Sequence, residues 1–137
     1  MAYGLIDISE VGEAEAPLIR VLAESIFGGV PAEVDASLGA PADRLMLIAH
    51  LEGNPIGFLL GHVRAPVARV DAVGLLATYR REGTGSRMLD YVEGIAKARG
   101  CDAVVFTLFD ECRELRSCAL ARGYAPAATI DDFVKSV

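Results

Sequence analysis

Two continuous apolar runs separated by a short turn restrict the fold of this chain more than any other feature. Residues 44–51 read RLMLIAHL and residues 56–63 read IGFLLGHV, and Glu52-Gly53-Asn54-Pro55 lies between them. A Gly-Asn-Pro turn between two runs of strand length is typical of an antiparallel hairpin. A third run, residues 68–76, follows closely. We therefore predict a sheet that begins with antiparallel strands.

The rest of the chain alternates between helical and extended patterns. Helical periodicity predicts helices over residues 14–27, 31–38, 86–99 and 115–122. Further strands are predicted over residues 3–9 and 103–109, with one or two more within 124–137. The order is β, α, α, β, β, β, α, β, α, β, so a strand-helix-strand crossover follows the antiparallel part.

Length and charge limit the classes of protein that fit. The chain has 137 residues, which favours a single domain over 1–137. Its apolar runs are too short to span a bilayer, although hydrophobic residues make up 53% of it. A net charge of −6 disfavours nucleic-acid binding and favours cationic small molecules or basic peptide ends. The N-terminus has no basic leader before an apolar segment, so we expect a cytoplasmic protein.

The cysteines do not form a recognisable framework. Cys101, Cys112 and Cys118 are odd in number and contain no C-x-x-C pair. This argues against a set of disulfides and against a zinc site. We expect reduced, mostly buried thiols and no metal.

A glycine motif lies at a predicted strand-to-helix junction. Residues 79–91 read YRREGTGSRMLDY, so Gly83 and Gly85 precede the helix. The first amides of a helix have no partner within the helix, and the helix dipole adds positive charge there. Phosphate groups bind well at such a position. The neighbouring basic and hydroxyl side chains are those of Arg80, Arg81, Thr84 and Ser86.

Two common nucleotide-binding motifs do not match this segment. A Walker loop requires a lysine after its last glycine, and Ser86 follows Gly85 instead. A dinucleotide fingerprint requires a third glycine where Met88 stands. The alternative is that the glycines only form a turn and the arginines are solvated.

The segment from Arg80 to Gly85 resembles the [QR]-x-x-G-x-[GA] motif of the GNAT superfamily of N-acetyltransferases. The element order is also similar, and Ala121-Arg122-Gly123-Tyr124 stands where the family often has Leu-Gly-Phe. The resemblance implies an α/β (α+β) fold. It would have a mixed, mainly antiparallel sheet of six to seven strands, flanked by about four helices.

The resemblance further implies a site for acetyl-CoA and no metal. The amides of residues 82–86 would hold the pyrophosphate, and the arginines would add positive charge. The pantetheine arm would lie where strands 70–76 and 103–109 separate. The implied cofactor-binding residues are Val73, Gly74, Leu75, Arg80, Arg81, Glu82, Gly83, Thr84, Gly85 and Ser86.

The catalytic residues implied by the family are only partly present. The family commonly has a tyrosine that acts as the general acid four residues before the closing glycine, and this chain has Ala119 there. Cys118 is the candidate acid, with a packing thiol as the alternative. Tyr124 is the nearest phenol, although it matches a core aromatic position.

Asp71 is the candidate base, because relatives carry acidic residues at this strand position. An exposed edge carboxylate is the alternative. His50 and His62, on neighbouring predicted strands, are further candidates, and Glu24 on the first helix could line an acceptor pocket.

The predicted function is transfer of an acetyl group from acetyl-CoA to a primary amine of a small molecule or peptide by direct attack. Because the tyrosine is absent, a non-catalytic acyl-CoA-binding protein or an interaction module on the same fold remains an alternative. The acceptor is not identified, and the apolar content permits a homodimer.

Overall fold

The computed structural model describes residues 6–79, 83–107, 116–126 and 132–137. The strands in these ranges are β1 (Ile6–Glu10), β2 (Arg44–Leu51), β3 (Asn54–Arg64), β4 (Val67–Leu75), β5 (Ala103–Thr107), β6 (Ala125–Pro126) and β7 (Asp132–Ser136). The helices are α1 (Ala16–Phe27), α2 (Ala32–Leu38), α3 (Thr84–Ala98) and α4 (Arg116–Ala121). Short 3-10 turns at Glu13–Glu15 and Ala77–Tyr79 precede α1 and follow β4.

The described strands form one seven-stranded sheet in the order β1-β2-β3-β4-β5-β7-β6. The pairs β1/β2, β2/β3, β3/β4, β5/β7 and β6/β7 are antiparallel. β4 and β5 are parallel, with α3 as the crossover between them. The predicted fold class, the opening hairpin and the later crossover are confirmed.

The hairpin turn is shorter than the sequence suggested. Leu51 pairs with Asn54, so only Glu52 and Gly53 form the loop. Both adopt positive φ, at 52° and 84°, which is the geometry of a tight two-residue hairpin turn. Pro55 therefore belongs to β3 rather than to the turn, and it lies beside a register irregularity at His50.

Helices cover both faces of the sheet, and each face has its own core. α1 and α2 pack on one face, where Ile19, Leu22 and Val34 meet Phe58 and Leu60. α3 and α4 pack on the other, where Met88, Leu89 and Ala119 meet Leu59 and Phe106. Each large side chain buried in this way stabilises the fold by about 1.5–3 kcal/mol. We call these the α1/α2 face and the α3/α4 face.

The helix boundaries follow local chemistry. α1 carries Pro17 in its first turn and ends where Gly28 adopts φ +77°. α3 begins at Thr84, two residues earlier than predicted, because Gly83 adopts φ +81° as its N-cap. None of the described helices has the length and apolar character needed to cross a membrane.

Candidate functional site

A β-bulge interrupts β4 near its middle. Gly61 of β3 pairs with Val70. The preceding residue of β3, Leu60, pairs with Ala72. Asp71 is therefore an extra residue on β4, and a bulge of this kind bends the strand and re-aims its side chains.

The described pairing between β4 and β5 ends just before this bulge. Their parallel register joins residues 67–70 to residues 103–106. β4 continues in register with β3 as far as Leu75. Residues 108 and 109 lie outside the described residues, so the splay between residues 70–76 and 103–109 stays a prediction.

Gly61 permits the bulge. A Cβ atom on Gly61 would lie 2.3 Å from the carbonyl oxygen of Arg69, closer than any non-bonded contact. Only a residue without a side chain allows β4 to approach β3 this closely. Sequence reasoning missed this residue, although a glycine inside a strand is itself a signal of a bulge or of close backbone approach.

The carboxylate of Asp71 points to the α1/α2 face, where it has two partners. Ser37 Oγ donates a hydrogen bond to Asp71 Oδ2 at 3.0 Å. His62 Nδ1 lies 2.7 Å from the same oxygen. The Asp71 side chain is 21% exposed, so it is not the exposed edge carboxylate of the alternative interpretation. His62 thus contacts the carboxylate of Asp71 and is not a separate candidate site.

The two ring nitrogens of His62 both face oxygen atoms. Nε2 lies 2.8 Å from the carbonyl oxygen of Ala40, which can only accept, so Nε2 carries a proton. Nδ1 lies 2.7 Å from Asp71 Oδ2. His62 therefore links the Asp71 carboxylate to the backbone of Ala40, just after α2.

The N-terminus of α3 has the geometry predicted for the glycine loop. Arg87 N–H donates to Gly83 O at 3.0 Å, so the amides of residues 84–86 form the helix edge without acceptors inside the helix. Among the described residues, no side chain caps this end. A Cβ on Gly83 would meet none of the described atoms within 4 Å. The predicted residues Arg80, Arg81 and Glu82 lie outside the described residues.

Hydroxyl groups at this end also suit a phosphate ligand. Thr84 is buried, and within the described residues its Oγ1 has no hydrogen-bond partner. A buried hydroxyl without a partner is costly unless a ligand or water satisfies it. Ser86 Oγ accepts a hydrogen bond from Arg122 Nη1 at 3.1 Å, so the guanidinium of Arg122 reaches the first turn of α3. These residues fit the pyrophosphate of a CoA molecule.

Val73, Gly74 and Leu75 lie on the part of β4 that follows its described pairing with β5. Val73 and Leu75 belong to the core of the α3/α4 face. A Cβ on Gly74 would lie 2.9 Å from Phe58 Cε1 and 3.0 Å from Phe27 Cζ. Packing against α1 therefore explains the glycine at position 74, and pairing of these three backbones with a pantetheine arm stays a prediction.

Cys118 lies on α4, on the face opposite the Asp71 carboxylate. Burial raises the pKa of its thiol, although the positive charge of Arg122 and a hydrogen bond with Ser86 oppose the rise. The thiol is thus protonated at neutral pH. Ala119, at the position of the family's tyrosine, is fully buried in the core. The two candidate catalytic residues are on opposite sides of the sheet.

A buried carboxylate on α3 was not predicted. Glu93 accepts hydrogen bonds from Lys135 Nζ at 3.0 Å, Tyr124 Oη at 3.1 Å and Arg122 Nη2 at 3.3 Å. Burial acts to raise the pKa of Glu93, but the three bonds together lower it below its usual range. Glu93 follows Leu89 by four residues, which places it on the apolar side of α3. This spacing was the sequence signal that could have predicted a buried carboxylate.

Tyr124 is a structural member of this cluster. Burial, reinforced by the charge of Glu93, raises the pKa of its phenol well above the ordinary range. The ring is 2% exposed and packs near Phe106, which fits the core aromatic that the sequence suggested.

The structure does not group the remaining candidates with Asp71. His50 lies on β2 opposite Asp7, two strands from β4. Glu24 is exposed on α1. Among the described residues, no group of three or more His, Cys, Asp or Glu side chains could hold a metal ion.

Comparison with known proteins reveals the same fold in several acetyltransferases. The chain is similar to the PaiA N-acetyltransferase of Thermoplasma acidophilum in complex with coenzyme A, at 21% identity over 97% of this chain and 99% of that one (TM-score 0.74). It is similar to a GNAT family acetyltransferase from Brucella melitensis in complex with acetyl-CoA, at 17% identity over 96% and 88% (TM-score 0.74).

A third similar structure is the aminoglycoside acetyltransferase AAC(6')-Iy with a bisubstrate analogue, at 18% identity over 92% and 95% of the two chains (TM-score 0.73). No curated protein sequence matches the chain. The model of the acetyltransferase (GNAT) family matches residues 19–124, which is well over half of the chain. The chain thus belongs to the GNAT family of acetyltransferases.

Proposed function

We propose that this acetyltransferase moves the acetyl group of acetyl-CoA to a primary amine of a small molecule or peptide by direct attack. The bulge that turns the Asp71 carboxylate, on the strand that precedes the open N-terminus of α3, is the observation that carries the proposal. A carboxylate and an anion-binding helix end thus lie on a strand and on the helix that follows it.

The residues at the start of α3 would hold the cosubstrate. The amides of residues 84–86 and the Thr84 hydroxyl would donate to phosphate oxygens, and Gly83 leaves the space for them. Bound acetyl-CoA supplies an activated thioester. Similar structures with CoA or acetyl-CoA support this assignment.

Asp71 would take the proton of the attacking amine. Both of its described hydrogen bonds reach Oδ2, so Oδ1 is the atom that faces an amine or an intervening water. Ser37 and His62 hold the carboxylate in a fixed orientation, which lowers the entropic cost of proton transfer.

Cys118 would return a proton to the departing thiolate. Its thiol stays protonated at neutral pH because burial raises its pKa. A thiolate formed on Cys118 would lie near Arg122, whose charge stabilises it. Cys118→Ala removes both the proton and the packing of the sulfur atom, so a loss of activity with no loss of thermal stability would assign the catalytic role.

Calorimetric titration with acetyl-CoA, followed by an assay of thiol release with a panel of primary amines, tests the proposal. We expect micromolar binding and amine-dependent release. Binding with no release above background hydrolysis for any amine would overturn the proposed reaction. That result would favour the alternative of a non-catalytic acyl-CoA-binding protein. This alternative arises because the buried Ala119 occupies the position of the family's tyrosine.

A further inference from the structure

Three side chains form a hydrogen-bonded link between α3 and α4. Arg122 Nη1 donates to Ser86 Oγ at 3.1 Å, and Ser86 in turn bonds the sulfur of Cys118. All three residues are half-buried, so water and salt screen these contacts less than they would at the surface. The link therefore joins the first turn of α3 to the candidate acid on α4.

The direction of each hydrogen bond in the link follows from the groups involved. A guanidinium has donors and no acceptor, so Ser86 Oγ accepts from Arg122. A hydroxyl has one proton to donate, and the contact with Arg122 leaves that proton for the sulfur of Cys118. The link therefore directs a donor at Cys118 Sγ. A donor at this position favours a thiolate over a thiol.

Carboxylates of α3 hold the guanidinium of Arg122 in place. Its Nη2 donates to Glu93 Oε1 at 3.3 Å and to Asp90 Oδ1. Burial acts to lower the pKa of Arg122, but these two carboxylates raise it, so the guanidinium stays charged. The backbone N–H of Arg122 also donates to Cys118 O at 3.1 Å, one helical turn earlier. The charged end of the link is thus fixed relative to the sulfur.

The proposed reaction leaves a negative charge on Cys118. When the thioester carbon–sulfur bond breaks, its electron pair goes to the departing sulfur, and that sulfur takes the proton of the Cys118 thiol. Cys118 then regains a proton from water, and Asp71 releases to water the proton that it took from the amine. A group that stabilises the thiolate of Cys118 would therefore assist this step.

We propose that Ser86 is a positioning residue, whose hydroxyl, oriented by Arg122, donates to Cys118 Sγ and stabilises the thiolate that forms when Cys118 protonates the departing sulfur. This inference rests on the proposed acetyl transfer, with Cys118 as the acid. It assigns separate tasks to the two polar groups of Ser86. The amide belongs to the anion-binding end of α3, and the hydroxyl faces α4.

Ionisation of the Cys118 thiol can be measured without any turnover. The rate of alkylation by iodoacetamide is followed from neutral to alkaline pH, and mass spectrometry of the separate peptides distinguishes Cys118 from Cys101 and Cys112. Ser86→Ala removes the donated proton, so we expect the thiolate fraction of Cys118 at neutral pH to fall about tenfold. Ser86→Thr keeps a hydroxyl and should restore most of the wild-type profile. An unchanged profile in Ser86→Ala would overturn the inference.

Variants of Arg122 test whether its charge orients the hydroxyl. Arg122→Gln should lower the thiolate fraction as Ser86→Ala does, and Arg122→Lys should restore part of it, because lysine keeps the charge and can donate to Ser86 Oγ. Arg99→Gln is the matched control, since it removes the same group at the other end of α3, where Arg99 pairs with Glu10. An equal effect in Arg99→Gln would show a general effect of charge and overturn the role of Arg122.

Thermal denaturation shows which of these variants are folded. Arg122→Gln also takes a hydrogen bond from Glu93, so it could unfold for that reason alone. Ser86→Ala leaves the Glu93 contacts intact and decides the inference in that case.

Steady-state kinetics separate positioning from phosphate binding. We expect Ser86→Ala to lower kcat about two- to tenfold with little change in the KM for acetyl-CoA, because the described contacts of the hydroxyl are to α4. A higher KM with unchanged kcat would overturn the inference, since the hydroxyl would then serve the phosphates.

The alkylation measurement also separates this inference from the proposed reaction, because alkylation needs no amine. A shifted profile in Ser86→Ala, with wild-type kcat in both Ser86→Ala and Cys118→Ala, would confirm the effect of Ser86 on the thiol and overturn Cys118 as the acid. Wild-type kcat in Ser86→Ala alone, with a slow Cys118→Ala variant, would leave the acid in place and overturn the positioning role of Ser86.

Discussion

At the scale of single residues, Asp71 shows how position and partners define a role. The bulge turns its carboxylate toward α2, where Ser37 and His62 both bond Oδ2. Oδ1 takes neither of these bonds. A carboxylate with one occupied and one available oxygen is both oriented and able to accept a proton.

Asp71→Asn should lower kcat by about 10²–10⁴-fold, because an amide cannot take the proton of the amine. Affinity for acetyl-CoA should not change, since the α3 N-terminus is intact. Thiol release measured from acid to alkaline pH, together with a CoA titration, checks both statements. A pH–rate profile identical to that of the wild type would exclude Asp71 as the base.

Ser37→Ala should have a smaller effect of the same kind. It removes one neutral hydrogen bond to Asp71 Oδ2 and leaves the contact with His62. A loss of about 0.5–1.5 kcal/mol of transition-state stabilisation corresponds to a decrease in kcat of roughly two- to tenfold, with KM unchanged. A change confined to KM would indicate that Ser37 contacts the acceptor instead of positioning Asp71.

Substitutions at Gly83 can distinguish the cost of backbone strain from the loss of space for a ligand. At φ +81°, alanine should cost about 1 kcal/mol of stability although its Cβ has room, whereas asparagine tolerates this conformation. Gly83→Asn should therefore remain nearly as stable as the wild type and still bind acetyl-CoA more weakly, because its side chain enters the open space. Denaturant unfolding and calorimetry measure the two effects. Equal CoA affinity of Gly83→Asn and wild type would argue against the phosphate site.

At the scale of elements, the apolar runs, the turn and the helical periods carried enough information to predict the order of elements along the chain and the crossover. Each of those signals lies within one short segment, so it can be recognised without knowledge of the rest of the fold. The β4 bulge is different, because it depends on how closely β3 approaches β4 at Gly61. The contacts of Asp71 with Ser37 and His62 likewise join α2, β3 and β4 and have no local signature.

Gly61→Ala should destabilise the protein by about 1–3 kcal/mol and reduce activity, because a Cβ 2.3 Å from Arg69 O forces β3 and β4 apart at the bulge. Gly94→Ala is the opposite control. Gly94 lies in α3, an added Cβ meets nothing within 4 Å, and alanine should raise stability by roughly 0.5–1 kcal/mol. Urea unfolding compares the two, and a neutral Gly61→Ala variant would show that the bulge does not need glycine.

At the scale of the whole molecule, the Glu93 cluster connects distant parts of the chain. Its partners Arg122, Tyr124 and Lys135 follow it by 29, 31 and 42 positions, so no sequence window contains all of them. Through them, the centre of α3 is bonded to the residue after α4 and to β7. Arg122 also reaches Ser86, which links the cluster to the start of α3.

The Glu93 cluster makes stability depend on pH in a defined direction. The pKa of Glu93 is lower in the folded protein than in the unfolded chain, because Lys135, Arg122 and Tyr124 bond its carboxylate. The stabilisation is present above the unfolded pKa, near 4.5, and is lost as the pH falls through the lower folded value. Glu93→Gln should therefore cost about 1–3 kcal/mol at neutral pH and less in acid.

Melting temperatures of wild type and Glu93→Gln between pH 3 and pH 8 test this prediction. Asp90→Asn is the matched control, because Asp90 also pairs with Arg122 but its side chain is mostly exposed, so its loss should be small. The two melting curves of wild type and Glu93→Gln should converge toward low pH while Asp90→Asn follows wild type throughout. If the difference in melting temperature between wild type and Glu93→Gln stays constant down to pH 3, Glu93 acts by packing alone. In that case the protonated carboxyl group would stabilise the fold as much as the carboxylate does.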